Sequence, residues 1–188
     1  QRLEMSPGGS NGIRCGSNNV VNISNNVINN IHMLFEVESS GITGIYCEQC
    51  VSGTYTVNNN TVTNMTSKAR GGNPLILGSA NMNGITVFVR GVNTVRGNSI
   101  INIGNTYTLP GLSTSNVNGL GLLLSQAGSV IEKNVVSGLY GSDAVTGNNA
   151  QNILGFSTSQ AATATLSHNV ISLERSSFPS DKKVVGIS

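Results

Sequence analysis

The sequence is poor in charged side chains. Only 10% of its 188 residues are charged, whereas an average soluble domain carries about 25%. The net charge is +2, and no basic cluster exceeds the pair Lys182-Lys183. A surface that binds nucleic acid needs a cluster of Lys and Arg side chains to neutralise phosphates. The composition therefore predicts no nucleic-acid partner.

Acidic clusters are missing as well, because the only aspartates are Asp143 and Asp181. A calcium ion needs about six to eight oxygen ligands, and glycoside hydrolysis needs two carboxylates about 5–10 Å apart. Glu36 and Glu38 lie close in sequence, and both fall in a predicted loop. We therefore predict no metal site and no cofactor, and the sequence identifies no catalytic residue.

The sequence also has no long apolar run, no signal peptide and no initial methionine. A membrane-spanning helix needs about 20 apolar residues, so we predict no membrane span. A mature chain or a fragment of a longer protein would begin in this way. The compartment is therefore not readable from a targeting segment.

Asparagine and glycine are abundant instead, with 26 and 23 residues respectively. Asparagine is unfavourable inside helices and strands, and low charge with many Asn and Gly could indicate disorder. Disordered chains usually combine high charge with few aliphatic residues. Here Val, Ile and Leu recur regularly, which predicts a folded chain with a core.

Two anchors repeat along the chain. The first is a glycine followed by an apolar residue, with spacings of 32, 40, 35, 36 and 31 residues. The second is an asparagine with an aliphatic residue two positions later, and it lies 14 to 16 residues after each glycine. The distance from each glycine to its asparagine is thus nearly constant, while the distance from one glycine to the next varies. This combination predicts a repeat with one variable loop. The anchors are Gly12, Gly44, Gly84, Gly119, Gly155 and Gly186, and Asn26, Asn60, Asn98, Asn134 and Asn169.

Each repeat alternates apolar and polar residues over short stretches, as in NGITVFVRGVNTVRGNSIINI, residues 83–103. Alternation is typical of β-strands, and no segment combines helical periodicity with caps. Each repeat has room for about three short strands, and such a unit buries a face only by stacking on its neighbours. The pattern therefore predicts an all-β solenoid.

This pattern resembles the right-handed parallel β-helix superfamily, the pectate-lyase-like solenoids, over residues 12–188. The resemblance implies a single β-helix domain, 1–188, of about five coils, with roughly 35 residues per coil and one variable loop. A β-sandwich or β-propeller is the alternative, but hairpins would give a different order of strands and turns. A bare solenoid end exposes unpaired strand edges, so we expect a fragment of a longer solenoid or a unit that stacks on other copies.

Equivalent residues of successive coils lie about 4.8 Å apart in such a fold, so they form columns. Four largely aliphatic columns predict the core. Cys15 and Cys47 share one column as small apolar side chains, Cys50 falls in the following bend, and a disulfide is left open. The columns are Ile13, Ile45, Ile85, Leu120, Phe156 and Ile187; Cys15, Cys47, Val87, Leu122 and Thr158; Ile23, Val57, Val95, Ile131 and Leu166; and Ile28, Val62, Ile100, Val136 and Ile171.

The residues that alternate with the first of these columns are expected to face solvent. Aromatic rings stack on the apolar faces of sugars, and charged groups bind hydroxyls or carboxylates. A mixed aromatic and charged surface on this side therefore predicts a glycan-binding patch. The expected solvent-facing residues are Arg14, Tyr46, Thr86, Gly121 and Ser157, and the glycan-binding candidates are Arg14, Tyr46, Glu48, Phe88 and Arg90.

The asparagine anchors predict the bends of the coil. We expect Asn26 and its equivalents to form a ladder of stacked amides, in the left-handed backbone conformation that asparagine tolerates. Asn25 and Asn29 are expected to face solvent, and His168 to occupy a surface turn. A second bend is predicted at Asn30, Asn64, Asn102 and Gly138.

Two function classes fit the sequence. Low charge and sparse chemistry favour a structural or adhesive β-helix domain of an extracellular, cell-surface, filament or phage-fibre protein, with glycan binding as an added role. The alternative is a carbohydrate-active enzyme, a polysaccharide lyase or glycoside hydrolase of the pectate-lyase-like class, acting around Arg14, Tyr46, Glu48 and Arg90. The resemblance alone implies the extracellular or cell-surface location. The expected partners are a polysaccharide and further copies of the chain, joined end to end or side by side.

Overall fold

In the computed structural model, the described part of the chain is all-β and contains no helix. The structure describes residues 10–16, 20–33, 37–38, 41–50, 52–70, 82–106, 116–123, 125–141, 152–158, 163–173 and 183–187. The strands are β1 (Ser10–Cys15), β2 (Val20–Ser24), β3 (Val27–His32), β4 (Val37–Glu38), β5 (Ile42–Cys50), β6 (Thr54–Asn58), β7 (Thr61–Ser67), β8 (Ala69–Arg70), β9 (Met82–Val89), β10 (Asn93–Arg96), β11 (Ser99–Asn105), β12 (Val117–Leu123), β13 (Ser129–Glu132), β14 (Val135–Tyr140), β15 (Asn152–Thr158), β16 (Ala164–Ser167), β17 (Val170–Ser172) and β18 (Lys183–Ile187).

Three parallel sheets form the sides of a solenoid, and the chain visits them in turn. Sheet A contains β1, β5, β9, β12, β15 and β18; sheet B contains β2, β6, β10, β13 and β16; and sheet C contains β3, β7, β11, β14 and β17. Hydrogen-bonded asparagines of successive coils are 34, 38, 36 and 35 residues apart. The predicted parallel β-solenoid with roughly 35 residues per coil is confirmed, while its right-handed winding stays a prediction.

A separate two-stranded sheet joins two of the segments that connect sheet C to sheet A. Strand β4 pairs in parallel with β8, and Glu38 is in register with Arg70. The prediction that Glu38 lies in a loop is therefore wrong. The connecting segments of neighbouring coils run alongside each other here, so their backbone groups can pair as strands do.

The four predicted core columns are present in the strand registers of all three sheets. Most of their members are buried, and Ile187 is an exception because β18 lies at an end of sheet A. Two further buried columns were not predicted. They are Ile42, Met82, Val117 and Ile153 in sheet A, and Ile31, Met65, Ile103 and Leu139 in sheet C.

The repeated glycines lie where backbone and side chains approach each other too closely for a Cβ atom. A Cβ on Gly84 would lie 2.5 Å from the carbonyl oxygen of Gly119 and 2.5 Å from a methyl carbon of Ile100. The space, and not the backbone conformation, requires glycine here. The same two contacts, the carbonyl of the next glycine and a β-branched side chain of sheet C, recur at Gly12, Gly44, Gly119 and Gly155.

The predicted asparagine ladder is present at the bend between sheets B and C. Asn60 donates from its main-chain N and from Nδ2 to Asn98 Oδ1, over 2.9 and 3.0 Å. Its Nδ2 also donates to the carbonyl oxygen of Ile23, over 2.8 Å. Equivalent bonds link Asn26 to Asn60, Asn98 to Asn134, and Asn134 to Asn169. Asn60, Asn98 and Asn134 thus each satisfy a backbone N–H and a backbone C=O of the preceding coil, and each donates to the amide of the following coil.

The residue before each ladder asparagine adopts the left-handed conformation, with φ of 59° at Asn25 and 53° at His168. The prediction that Asn26 itself is left-handed is therefore wrong, because its side chain must turn along the solenoid axis to reach the next coil. Asn25, Asn29 and His168 are exposed, as predicted. The second predicted bend is confirmed, since φ is 54° to 60° at Asn30, Asn64, Asn102 and Gly138.

The cysteines occupy neighbouring strands of sheet A. Cys15 pairs in register with Cys47, as predicted, and Cys15 is a free thiol. The prediction that Cys50 lies in a bend is wrong, because it is the last residue of β5 and pairs with Val89. The register between β5 and β9 shifts between Cys47 and Cys50. With this irregularity, β5 stays paired with β9 as far as Cys50, where a bend was predicted.

The glycine column predicts a large cost for one added methyl group. We expect Gly84→Ala to lower the free energy of unfolding by about 1–3 kcal/mol or more, because Gly119 or Ile100 must move. Urea unfolding measures this change. Gly186→Ala is the matched control, since nothing lies within 4 Å of its added Cβ. Equal stability of the two variants would contradict the proposed role of the column.

The ladder predicts that a single buried amide stabilises two coils. Asn98→Ala removes both bonds from Asn60, the bond to the carbonyl oxygen of Val57 and the bond to Asn134 Oδ1. Because each buried group left unpaired costs about 1–3 kcal/mol, we expect a loss of about 3 kcal/mol in urea unfolding. Asn22→Ala, at an exposed position in β2, is the control and should change little. A loss no larger than that of the control would argue against the ladder.

Candidate functional site

The charged candidates lie at one end of sheet A, where Arg14 of β1 faces Glu48 of β5. Arg14 Nε donates to Glu48 Oε2 over 3.1 Å, and Nη2 makes a second contact with Oε1. The carboxylate lies over Gly16, where a Cβ would be 3.1 Å from Oε2. The absent side chain at Gly16 thus leaves the room that the two-point Arg–carboxylate contact occupies.

The ion pair shifts the pKa values of both partners towards their charged forms. The hydrogen bond to Glu48 raises the pKa of Arg14, and the hydrogen bond from Arg14 lowers the pKa of Glu48. Burial, and then the charge of Glu48, raise the pKa of Tyr46. A general acid needs a carboxyl pKa near the working pH, and that of Glu48 is shifted away from it. Glu48 is therefore poorly suited to donate a proton to a leaving group.

Of the other predicted patch residues, Tyr46 lies on β5 beside the pair, whereas Phe88 and Arg90 lie on or just after the next strand and make no contact to the pair among the described hydrogen bonds and ion pairs. Phe88 is partly exposed on β9 and pairs in register with the buried Leu123. Arg90 follows β9 and is exposed. Tyr46, which pairs in register with both Arg14 and Thr86, is partly exposed. The structure thus brings Arg14, Tyr46 and Glu48 together and places Phe88 beside them.

The prediction of a solvent-facing column on sheet A is wrong at three positions, because Thr86, Gly121 and Ser157 are buried. The alternation correctly placed them on the face opposite the core columns. It did not show that this face is itself covered, which is common for parallel sheets. The glycan patch therefore does not continue along the sheet beyond β9.

A hydrogen-bonded chain of polar groups runs through this covered face. Asn83 Nδ2 donates to Thr43 Oγ1 over 3.4 Å, and Asn118 Nδ2 donates to Asn83 Oδ1 over 3.3 Å. Ser157 Oγ donates to Asn118 Oδ1 over 2.9 Å. All four side chains are buried, so each bond satisfies groups that are withdrawn from water. Sequence reasoning missed this network, although Asn83 and Asn118 both directly precede repeated glycines.

A second ion pair lies on the outer face of sheet B. Arg96 contacts Glu132 through both Nε and Nη2, and the two residues are in register on β10 and β13. Sequence reasoning missed this pair. The signal was available, since both residues stand two positions before a ladder asparagine and therefore belong to one column.

An aromatic ring lies along the outer face of sheet C and was also missed. A Cβ on Gly104 would lie 2.5 Å from Tyr140 Cδ2 and 2.6 Å from Cγ, so the ring covers this glycine. Tyr140 is partly exposed, and burial raises the pKa of its hydroxyl. On the other side of Gly104, Thr66 Oγ1 lies 2.7 Å from Nδ1 of the exposed His32. Aromatic, hydroxyl and imidazole groups therefore lie together at the carboxyl ends of neighbouring strands of sheet C. We call this region the Tyr140 edge.

No metal centre is assembled in the described part of the chain, where no three His, Cys, Asp or Glu side chains lie close enough to hold an ion. His32 and His168 are both exposed and lie on different strands or bends. Asp143, Asp181 and Glu36 lie outside the described residues.

No protein-family model, curated protein or solved structure matches the chain. Among the described residues there is no helix with the length and apolar character needed to cross a membrane.

The Arg14–Glu48 pair predicts a small stability term that depends on pH. The folded pKa of Glu48 lies below its ordinary value of about 4.3. The contribution of the pair to the free energy of unfolding is therefore fully present above that pH and is lost as the pH falls through the folded pKa. Both side chains are exposed, which keeps the term small.

We expect Glu48→Gln to melt slightly below the unaltered chain at neutral pH and level with it at a pH below the folded pKa. Thermal unfolding at low salt measures the difference, and about 1 M salt should also remove it. A difference that persists in acid would contradict the assignment.

Proposed function

We propose that the chain is a structural or adhesive β-helix domain of an extracellular, cell-surface, filament or phage-fibre protein of the pectate-lyase-like class. The observation that carries the proposal is that many of its described amide and charged groups bond to each other. The amide ladder joins coil to coil, and the two Arg–Glu pairs join neighbouring strands. Groups used in this way stabilise a scaffold and are less available to act on a substrate.

Adhesion would use the edge of sheet C that carries Tyr140. The ring packs against Gly104, and a sugar ring could stack on its exposed side. Exposed amides line the same sheet, where Asn102 Nδ2 donates to Asn64 Oδ1 over 2.7 Å. Amide, hydroxyl and imidazole groups can hydrogen-bond sugar hydroxyls. This chemistry supports a glycan partner without requiring a catalytic group.

The patch around Arg14, Tyr46, Glu48, Phe88 and Arg90 is the second candidate for glycan contact. Its Arg–carboxylate pair is exposed to solvent and could share its remaining hydrogen-bonding capacity with hydroxyl groups. The same cluster is what favours the alternative function, a polysaccharide lyase or glycoside hydrolase. The lowered pKa of Glu48 argues against a general-acid role and makes this function the second choice.

Further copies of the chain are the other proposed partner. Strand β18 lies at one end of sheet A, and Ile187 on it is 59% exposed. Another strand could add to this edge through main-chain hydrogen bonds, which would join copies end to end. Side-by-side contact would use the exposed Val27 and Val170 on the outer face of sheet C.

A polysaccharide panel tests the proposed function. We expect the chain to be retained on at least one immobilised glycan without releasing reducing or unsaturated ends. Tyr140→Ala should weaken that retention by about two- to tenfold, which corresponds to the loss of one stacking contact.

Val20→Ala, which removes an exposed apolar side chain from sheet B, is the control and should bind normally. If the chain releases reducing or unsaturated ends from a polysaccharide and Glu48→Gln does not, the structural function is ruled out and the enzymatic one is favoured. Equal binding by Tyr140→Ala and the control would exclude the Tyr140 edge as the contact surface.

A further inference from the structure

Two cysteines lie side by side at one edge of sheet A. Cys15 is the last residue of β1, and it pairs in register with Cys47 of β5. Neighbouring strands lie about 4.8 Å apart, and a disulfide spans Cα–Cα distances of about 4.4–6.8 Å. The Cα atoms of this pair are therefore within the range that a disulfide needs. In the structure the two sulfur atoms are not bonded to each other.

Both side chains lie on the core side of the sheet. Their column continues with Val87 and Leu122 on the next two strands. Cys47 belongs to the buried core cluster, and Cys15 packs against that cluster. Side chains of one column extend in the same direction from their strands, so the two sulfur atoms approach each other within an apolar environment. A disulfide brings no polar group into this core.

Only a small movement separates this arrangement from a covalent bond. In-register Cβ atoms of neighbouring strands are about 4.8 Å apart, whereas a disulfide holds them about 3.5–4.5 Å apart. Strand β1 is the edge strand of sheet A and pairs only with β5 among the described strands. It can therefore move towards β5 by the missing distance, about 1 Å or less, without breaking a second ladder.

Cys50 is the third cysteine of the chain, and it is the more distant partner for Cys47. Cys47 pairs with Val87 and Cys50 with Val89, two positions further along β9. Two steps along a strand span about 7 Å, which is at the upper limit of the Cα–Cα distance in a disulfide. The strand register therefore favours Cys15 over Cys50.

We propose that Cys15 and Cys47 form a disulfide in an oxidising environment and so fasten the first coil of the solenoid. The bond closes a loop that contains β2, β3 and β4. Closing a loop of this length removes conformational freedom from the unfolded chain and thereby stabilises the folded one. The bond holds the edge strand β1 on β5 at the end of the sheet where only one ladder supports it.

The difference in exposure between the two residues sets the order of the chemical steps. The oxidant is a low-molecular-weight disulfide from solution. Cys15 is partly exposed, so its thiolate attacks this disulfide first, forms a mixed disulfide and releases one small thiol. The Cys47 thiolate then attacks the Cys15 sulfur and releases the second small thiol. Two protein thiols are thereby oxidised to one disulfide, and the small disulfide is reduced to two thiols that take up the two protons.

The oxidised form is expected where the proposed function places the chain. Disulfides persist outside the cell, where the environment is oxidising, so the presence of the bond in the native setting rests on the proposed extracellular function. The ability of the pair to form the bond depends on the strand register alone.

Oxidation of the purified, reduced chain with oxidised glutathione tests the proposal. We expect two of the three cysteine thiols to disappear from a thiol count made after unfolding, and peptide mapping to link the segments that contain Cys15 and Cys47. The thermal midpoint should rise by about 4–16 °C over that of the reduced chain. An unchanged thiol count, a bond that includes Cys50, a bond between two chains, or glutathione left on Cys15 without a cross-link would overturn the proposal.

Two single variants make the result specific. Cys50→Ser keeps both members of the pair, so oxidation should raise its midpoint as it does in the unaltered chain. Cys15→Ser removes one member, and oxidation should leave its midpoint unchanged. An equal rise in both variants would contradict the assignment. If Cys15→Ser does not fold, the peptide map of the unaltered chain decides the question.

No glycan takes part in this experiment, so its result is independent of the polysaccharide panel. A chain that forms the bond and is not retained on any glycan supports the disulfide and fails only the adhesive function. A chain that binds a glycan and keeps all its thiols overturns the disulfide alone.

Discussion

Hydrogen bonding between the parallel strands of successive coils is the interaction on which the rest of the structure depends. It places equivalent residues about 4.8 Å apart, so each side chain packs on its own equivalent in the next coil. Columns of Ile, Val and Leu then form the core in all three sheets. The glycine column of sheet A lets the β-branched column of sheet C pack against the backbone. A substitution in one coil is therefore felt by both neighbours.

The same stacking explains the unusual composition. Like charges placed opposite each other on neighbouring strands repel, so a column of one charged residue type would destabilise the solenoid. The described ion pairs set an arginine of one coil beside a glutamate of the next. Asparagine avoids this problem, because its amide is both a donor and an acceptor and can bond to its own equivalent. Low charge and high asparagine content are thus consequences of the fold.

These consequences bear on function. A chain whose polar groups are engaged in ladders and pairs is well suited to be a scaffold. Among the described residues, the two surfaces that we propose for recognition are the Tyr140 edge of sheet C and the Arg14–Tyr46–Glu48 end of sheet A. The sequence located the second surface and missed the first. Tyr140 lies far along the chain from His32 and Thr66, and only the strand register places them on either side of Gly104.

The sequence by itself determined the contacts between equivalent residues. The core columns and the amide ladder of Asn26, Asn60, Asn98, Asn134 and Asn169 follow from a repeat whose phase can be counted. Only the tertiary structure decided the contacts between different sheets and the covering of a sheet. Gly84 must be glycine because Ile100 of another sheet reaches it. Thr86 and Ser157 alternate as surface residues do, yet they are buried. Periodicity assigns a side chain to a face of a strand, and the packing of the whole chain decides what covers that face.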